Sequence, residues 1–311
     1  MPPPFCKNRS GAWIAGAFIP VAFCAAAFGA EAPTPADAVE ISPVAGAVSL
    51  FVVAVSGYSI YWVIQSLWQQ GRVFPSSSAP RLRCGVLDVL IGAGAFFLLP
   101  QFAIAFLTPG GTGDMLTALN LGHLLSVLVV IRLIEKRGQR PERALGLVPE
   151  GVGARLGPGL AAFFAFLPVL VGVGFGWRVL LERVAGEEAA SAQQEIVREF
   201  VETPDVFEAV GIALAAVVIA PIVEEIFFRG FLYGSLRRWV PPWVAAVTVG
   251  LVFGLLHPPI ATLVPLSLLG AFLCLVYEKT GRLLVPIGMH LLFNLGSTVM
   301  LFYYRSAGVP G

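Results

Sequence analysis

Apolar runs long enough to cross a membrane recur along this 311-residue chain, and they restrict its fold more than any other feature. They lie at Ala45–Gln65, Cys84–Leu107, Met115–Ile134, Leu156–Leu180, Val210–Leu236, Trp243–His257, Ile260–Tyr277 and Leu283–Tyr304. A hydrocarbon core roughly 30 Å thick takes about 20 helical residues. In lipid only helices and closed barrels satisfy every backbone polar group, and runs of this length without period-2 alternation are helices. Charged residues make up only 13% of the chain, against about 25% in a soluble domain. The expected fold is an all-α polytopic membrane bundle of about eight spans, or nine if the apolar segment Ala12–Ala30 is a retained helix rather than a signal peptide. Lys7 and Arg9 precede that segment and suit either reading.

Charge orients the bundle. On alternate loops, 15 of the 20 Lys and Arg residues fall on one side, among them Arg72, Arg81, Arg83, the cluster from Arg132 to Arg155, Arg237, Arg238, Lys279 and Arg282. Arg178, Arg183, Arg198 and Arg305 fall on the other. The positive-inside rule makes the first side cytoplasmic and leaves the acidic segment Glu182–Glu208 outside. Within that segment Ile196, Val197, Phe200 and Val201 repeat at helical spacing, so Ser191–Val201 is read as a surface amphipathic or linker helix. No basic nucleic-acid patch remains. Cys6, Cys24, Cys84 and Cys274 have neither metal nor disulfide spacing and are read as packing residues. Trp239, Trp243, Tyr277, Tyr303 and Tyr304 flank span ends and are read as interface anchors.

One apolar run carries three charges within six residues: Glu224, Glu225 and Arg229. A charge at the centre of a membrane helix costs about 2.5–3.5 kcal/mol on insertion scales, so this cluster is expected to face a protein interior or a wet cavity. Glu225 and Arg229 stand at i,i+4 with the acid first, the favourable order for an ion pair. Glu224 points about 100° away from Glu225 and has no basic neighbour at i+3 or i+4, which makes it the candidate general base. Two of the three histidines follow on later spans, each with a partner on its own face: Phe253 with His257, and His290 with Asn294. Together these groups could hold a water, or a metal with its water, against a peptide carbonyl, with Asn294 donating to the developing oxyanion.

Taken singly, each histidine reads as a helix-packing residue. The ordered motifs E-E-x-x-x-R, F-x-x-x-H and H-x-x-x-N, however, resemble those of the CAAX prenyl protease and bacteriocin-processing family of intramembrane proteases, also described as the abortive-infection type. The resemblance covers about 218–295. It implies that Glu224 activates a water with help from His257, that His290 and Asn294 line the oxyanion side, and that Glu225, Arg229 and Phe253 support the site. It implies an eight-helix membrane fold, a membrane-associated protein or peptide substrate and a working core at 206–305, after an N-terminal segment (1–32) and further spans and loops (33–205). Zinc held by Glu224, His257 and His290 and a metal-free glutamate mechanism both stay open, and H-E-x-x-H is absent. The start of the chain suits a bacterial plasma membrane. A non-catalytic scaffold or an ion-coupled transporter are the alternatives, although no internal repeat supports transport.

Straight helices would not assemble this site, because His257 falls near the outer end of its run and His290 near the inner end of its own. Pro258, Pro259 and Pro286 are expected to mark a broken or tilted arrangement. Gly111-Thr112-Gly113-Asp114 spells an aspartyl-protease-like motif but is read as a loop, His123 as a helix contact, and Asp88 has no assigned role.

Overall fold

The computed structural model describes residues 43–74, 79–107, 112–192 and 205–306, together with 194, 197, 200 and 203. The N-terminal apolar segment, Cys6 and Cys24 lie outside the described residues. All regular structure described is helical: α1 (Pro43–Gln70), α2 (Val86–Leu107), α3 (Thr112–Lys136), α4 (Val152–Ala185), α5 (Val206–Leu236), α6 (Pro242–Leu255), α7 (Ile260–Thr280) and α8 (Leu284–Ser306), with short turns at Pro141–Ala144 and Glu187–Ser191. Seven of these helices are long and apolar enough to cross a membrane, and the chain is an integral membrane protein. The exception is the sixth. α6 has 14 residues, about 21 Å at 1.5 Å per residue, too short for the hydrocarbon core.

α6 is instead one arm of an antiparallel hairpin with α7. Gly250 and Gly254 make the hairpin close: a Cβ on Gly250 would lie 2.5 Å from the Ser267 carbonyl oxygen, and one on Gly254 2.5 Å from that of Leu263. Small residues allow such backbone approach where no hydrophobic driving force acts between helices in lipid. α2 and α3 form a second close pair, with Gly122 against the backbone of Pro100. α1 packs on α4 and turns Phe51, Tyr58, Tyr61 and Trp68 outward. The centre is aromatic: Phe96 stacks on Phe227 at 3.9 Å between centroids, with Phe228, Phe231 and Phe253 buried beside them.

The basic loops, scattered in sequence, meet at one end of the bundle. Arg237 donates to the Ala79 carbonyl (3.0 Å) and pairs with Glu278 (2.8 Å), which also accepts from Tyr233 (3.0 Å). Arg238 donates to the Cys84 carbonyl (3.1 Å), and Arg282 to that of Glu150 (2.7 Å). Asp88 finds its role here. It is buried in the first turn of α2, where its Oδ2 accepts from the Gly85 amide (2.7 Å) and from Arg137 (2.7 Å), locking α2 to the end of α3. Tyr277 corrects its expected place as an interface anchor: it is fully buried and donates to the Leu145 carbonyl (3.0 Å). Trp239 and Trp243 are exposed as expected. The side chains of Tyr303 and Tyr304 lie outside the described residues.

Cys84 and Cys274 are buried packing residues. His123 contacts the ring of Phe96, 5.0 Å between centroids. In the acidic segment, Val197 and Phe200 are helical and buried, and Phe200 packs edge-on against Phe302 of α8. They face the protein; the sequence had left a helix on the membrane surface and a linker helix both open. Ile196 and Val201 lie outside the described residues. Gly111 does so too, while Asp114 stands in the first turn of α3.

Candidate active site

α5 begins at Asp205, whose carboxylate accepts from the Phe207 amide (2.8 Å), an N-cap that satisfies one orphan donor. Two π-helical stretches, Ala215–Ile219 and Ile226–Tyr233, interrupt the helix, and the α-turn Ala220–Glu225 between them carries both glutamates. Such π segments concentrate at functional sites because they re-aim side chains and loosen backbone carbonyls from the i,i+4 pattern.

Glu225 turns into the core and is fully buried. Its Oε1 lies 2.8 Å from Arg229 Nη1 and 2.9 Å from His290 Nδ1. Arg229, also fully buried, donates to the Gly270 carbonyl (3.3 Å), and its guanidinium lies 4.7 Å from the ring centre of Phe253. This ion pair therefore joins four helices: α5 carries both charges, α8 brings His290, α7 the carbonyl and α6 the aromatic face. Glu225, Arg229 and Phe253, expected to support the site, meet in this cluster.

Glu224 points the other way, into a cavity of about 280 Å³. Its Oε1 is 3.8 Å from His257 Nε2 and its Oε2 3.8 Å from His290 Nε2. The partners of the other ring nitrogens fix the tautomers of the neutral imidazoles. His257 Nδ1 meets the Phe253 carbonyl at 2.6 Å, so Nδ1 donates, and His290 Nδ1 donates to the Glu225 carboxylate. Both Nε2 atoms then present lone pairs toward a carboxylate. The Glu224 carboxylate thus stands 3.8 Å from each Nε2, beyond direct hydrogen-bond reach, a spacing at which a water could donate one hydrogen to the carboxylate and the other to one imidazole.

The geometric difficulty in the sequence resolves at both histidines. α6 stops before His257, and the chain turns through Pro258 and Pro259 into α7, as those prolines suggested. Thr262 Oγ1 donates to the His257 carbonyl, and Trp177 of α4 donates to that of Ile260 (2.9 Å), so the turn is held from two sides. His290 reaches Glu225 because the start of α8 packs against α5. The Leu283 amide bonds to the Gly146 carbonyl (3.0 Å), and the Leu283 side chain packs beside Gly230, five residues after Glu225. Gly146 (φ 67°) permits this approach, since a Cβ there would sit 2.7 Å from the Gly281 carbonyl oxygen. Pro286, expected to mark a break, sits in the first turn of α8, where its missing N–H costs nothing.

Asn294 lines the same cavity, one turn beyond His290, and donates through Nδ2 to the Ala216 carbonyl (2.7 Å) in the first π stretch. One N–H of its amide is thereby used and a second remains. All seven expected residues, Glu224, Glu225, Arg229, Phe253, His257, His290 and Asn294, thus form one constellation. A group not found from the sequence joins it: Asn120 of α3 lines the cavity with Leu116 and Leu119. A lone amide in an apolar run has no spacing partner to mark it. Its only signal is that Leu116, Asn120 and His123 share a helical face.

Among the described residues, no group of three or more His, Cys, Asp or Glu side chains is arranged to hold a metal ion. Carboxylate and imidazole are donor types that zinc takes, and each imidazole makes a hydrogen bond through its other ring nitrogen.

Residues 206–296 match the family model described as "Type II CAAX prenyl endopeptidase Rce1-like". The chain is also similar to the "Putative membrane peptidase YdiL" of Bacillus subtilis (strain 168), with 30% identity over 97 residues, 31% of this chain and 40% of that protein. It therefore spans about 40% of the length of the curated relative it matches. No solved structure matches it.

Proposed function

Because residues 206–296 belong to the CAAX prenyl protease and bacteriocin-processing family of membrane proteins, we propose that this chain is an intramembrane endopeptidase using a water activated by Glu224. The observation that carries the reading is the division between the two glutamates. Glu225 is consumed by Arg229 and His290, whereas Glu224 faces a cavity with an imidazole lone pair on either side.

In this scheme the water gives one hydrogen to Glu224 and the other to an imidazole Nε2, which turns its oxygen lone pair toward the substrate. As that oxygen bonds to the peptide carbon, Glu224 takes the proton, and the carbonyl oxygen becomes an oxyanion within reach of the free Asn294 N–H. The C–N bond then breaks, and the proton held by Glu224 passes to the leaving amine. Glu225 keeps the lone-pair side of His290 toward the cavity and would stabilise the imidazolium if that ring accepted the proton.

Zinc remains part of the proposal as an option. Glu224, His257 and His290 would hold it, and it would supply an activated hydroxide and polarise the carbonyl. Loss of cleavage on chelation, restored by zinc, identifies that version, while cleavage undiminished by chelators identifies side-chain chemistry alone. The substrate in this reading is a membrane-associated protein or peptide, and the setting a bacterial plasma membrane.

The test is purified protein in lipid vesicles incubated with hydrophobic peptides, with products read by mass spectrometry. Wild type is expected to cut and Glu224→Gln to leave the same peptides whole. Equal cleavage by both would remove Glu224 as the base and favour a scaffold role for the cluster.

A further inference from the structure

We propose that Asn120 of α3 is a substrate-binding residue, whose side-chain amide pairs with a peptide group of the substrate beside the bond that is cut, so that the substrate lies unwound in the cavity. The inference rests on the protease reading and deepens it.

Helix register places Asn120 at the depth of the catalytic glutamate. His123 of α3 and Phe227 of α5 both meet the ring of Phe96, at 5.0 and 3.9 Å between centroids. Both helices run toward the basic end of the bundle, α3 ending at Lys136 and α5 at Leu236, just before Arg237. Three residues back from His123 stands Asn120, and three back from Phe227 stands Glu224, the same step of about 4.5 Å along each helix. α3 also packs directly against the turn that carries both glutamates. Asn120 accordingly lines one cavity with Glu224, His257, His290 and Asn294.

The amide of Asn120 is unused. Asn294 donates to the Ala216 carbonyl and Ser297 to that of Phe293 (2.7 Å), whereas Asn120 makes no hydrogen bond among the described residues. Leu116 and Leu119, which line the cavity beside it, offer no polar partner. An amide left unpaired in apolar surroundings is costly, and polar side chains kept in membrane helices at such a cost mark functional sites.

The chemistry of the group selects its occupant. An asparagine side chain carries a carbonyl acceptor and two N–H donors, so it can accept from a backbone N–H while donating to a backbone carbonyl. A helical substrate offers neither, because its own i,i+4 ladder takes both. Attack by water on a peptide carbon requires that stretch to leave the helix, and each peptide group freed within lipid then needs a new partner. Asn120 supplies two such bonds at the depth where the cut is made.

The test uses purified protein in lipid vesicles and the hydrophobic peptides that wild type cuts. Each peptide is also made with one backbone amide at a time, near but not at the cut, replaced by an ester that lacks the N–H. For wild type, one ester position is expected to lower kcat/KM about tenfold, the size of one or two neutral hydrogen bonds. Asn120→Leu should show a loss of about that size with the all-amide peptide, carried by KM with kcat near that of wild type. It should lose nothing further at the sensitive ester position, and its thermal unfolding midpoint should not fall. An unchanged KM in Asn120→Leu, an ester penalty that the variant retains in full, or a wild type indifferent to every ester would overturn the proposal. Equal cleavage by Glu224→Gln would instead remove the protease reading, so the two fail separately, and a wild type that cuts no peptide would remove both.

Discussion

Glu224 and Glu225 are neighbours in the chain, yet the rotation of about 100° between successive helix positions sends one to the cavity and the other to the core. Substituting them should therefore damage different properties. Glu224→Gln is expected to abolish cleavage while the thermal unfolding midpoint in detergent stays near that of wild type, because the side chain opens to a cavity and forms no close ion pair. Arg229→Ala leaves Glu225 as an uncompensated buried charge, and breaking such a pair costs about 3–5 kcal/mol, so its midpoint should fall sharply. Equal midpoints for the two variants would contradict the separation of roles. Glu224→Asp keeps the charge but withdraws the carboxylate by about one bond, and misplacements near 1 Å can cost about 100-fold in rate. Steady-state kinetics should show a drop of that order in kcat with little change in KM. The residues legible in the sequence were those with charge or with i,i+4 partners. Asn120 was not, because a single amide among leucines carries no spacing, and only the fold brings it to the cavity.

At the scale of elements, the α6–α7 hairpin sets the position of His257. Gly254 is its tightest point, where a Cβ would run into Ser267 Oγ and stand 2.5 Å from the Leu263 carbonyl oxygen. Gly254→Val should push the arms apart, costing about 1–3 kcal/mol as overpacking does and greatly reducing cleavage. Gly176→Ala in α4 has nothing within 4 Å of the added methyl and should leave both stability and cleavage close to wild type. Parallel unfolding and activity measurements on the pair check this, and equal damage by both substitutions would count against it. The sequence reading of α6 as a span failed for a physical reason. Apolar composition does not report helix length: α6 turns Val247, Leu251 and Leu255 outward as a spanning helix does, yet it stops after 14 residues. The terminator was visible as Pro258 and Pro259, but what they end, a 14-residue arm with a histidine just past its tip, depends on packing against α7. The two π stretches in α5 were likewise illegible, since they arise from the tertiary setting of that helix rather than from any marker residue.

At the scale of the molecule, charge and hydropathy conveyed the most. The membrane class, the helical bundle and the gathering of basic loops at one end were all readable in the sequence, because insertion energetics act on composition and on Lys and Arg bias directly. The structure adds depth. It converts eight apolar runs into seven helices of spanning length and one short arm, and it places a carboxylate and two imidazoles around one cavity, beside a cluster of buried aromatic rings. The central claim is that this arrangement hydrolyses peptide bonds through Glu224. Its most direct test is quantitative mapping of new peptide termini in membranes from cells expressing wild type or Glu224→Gln at matched levels. The account predicts a set of termini present with wild type and absent with the variant, whose flanking residues would identify the substrate. Indistinguishable profiles would contradict it and leave the buried cluster as architecture alone.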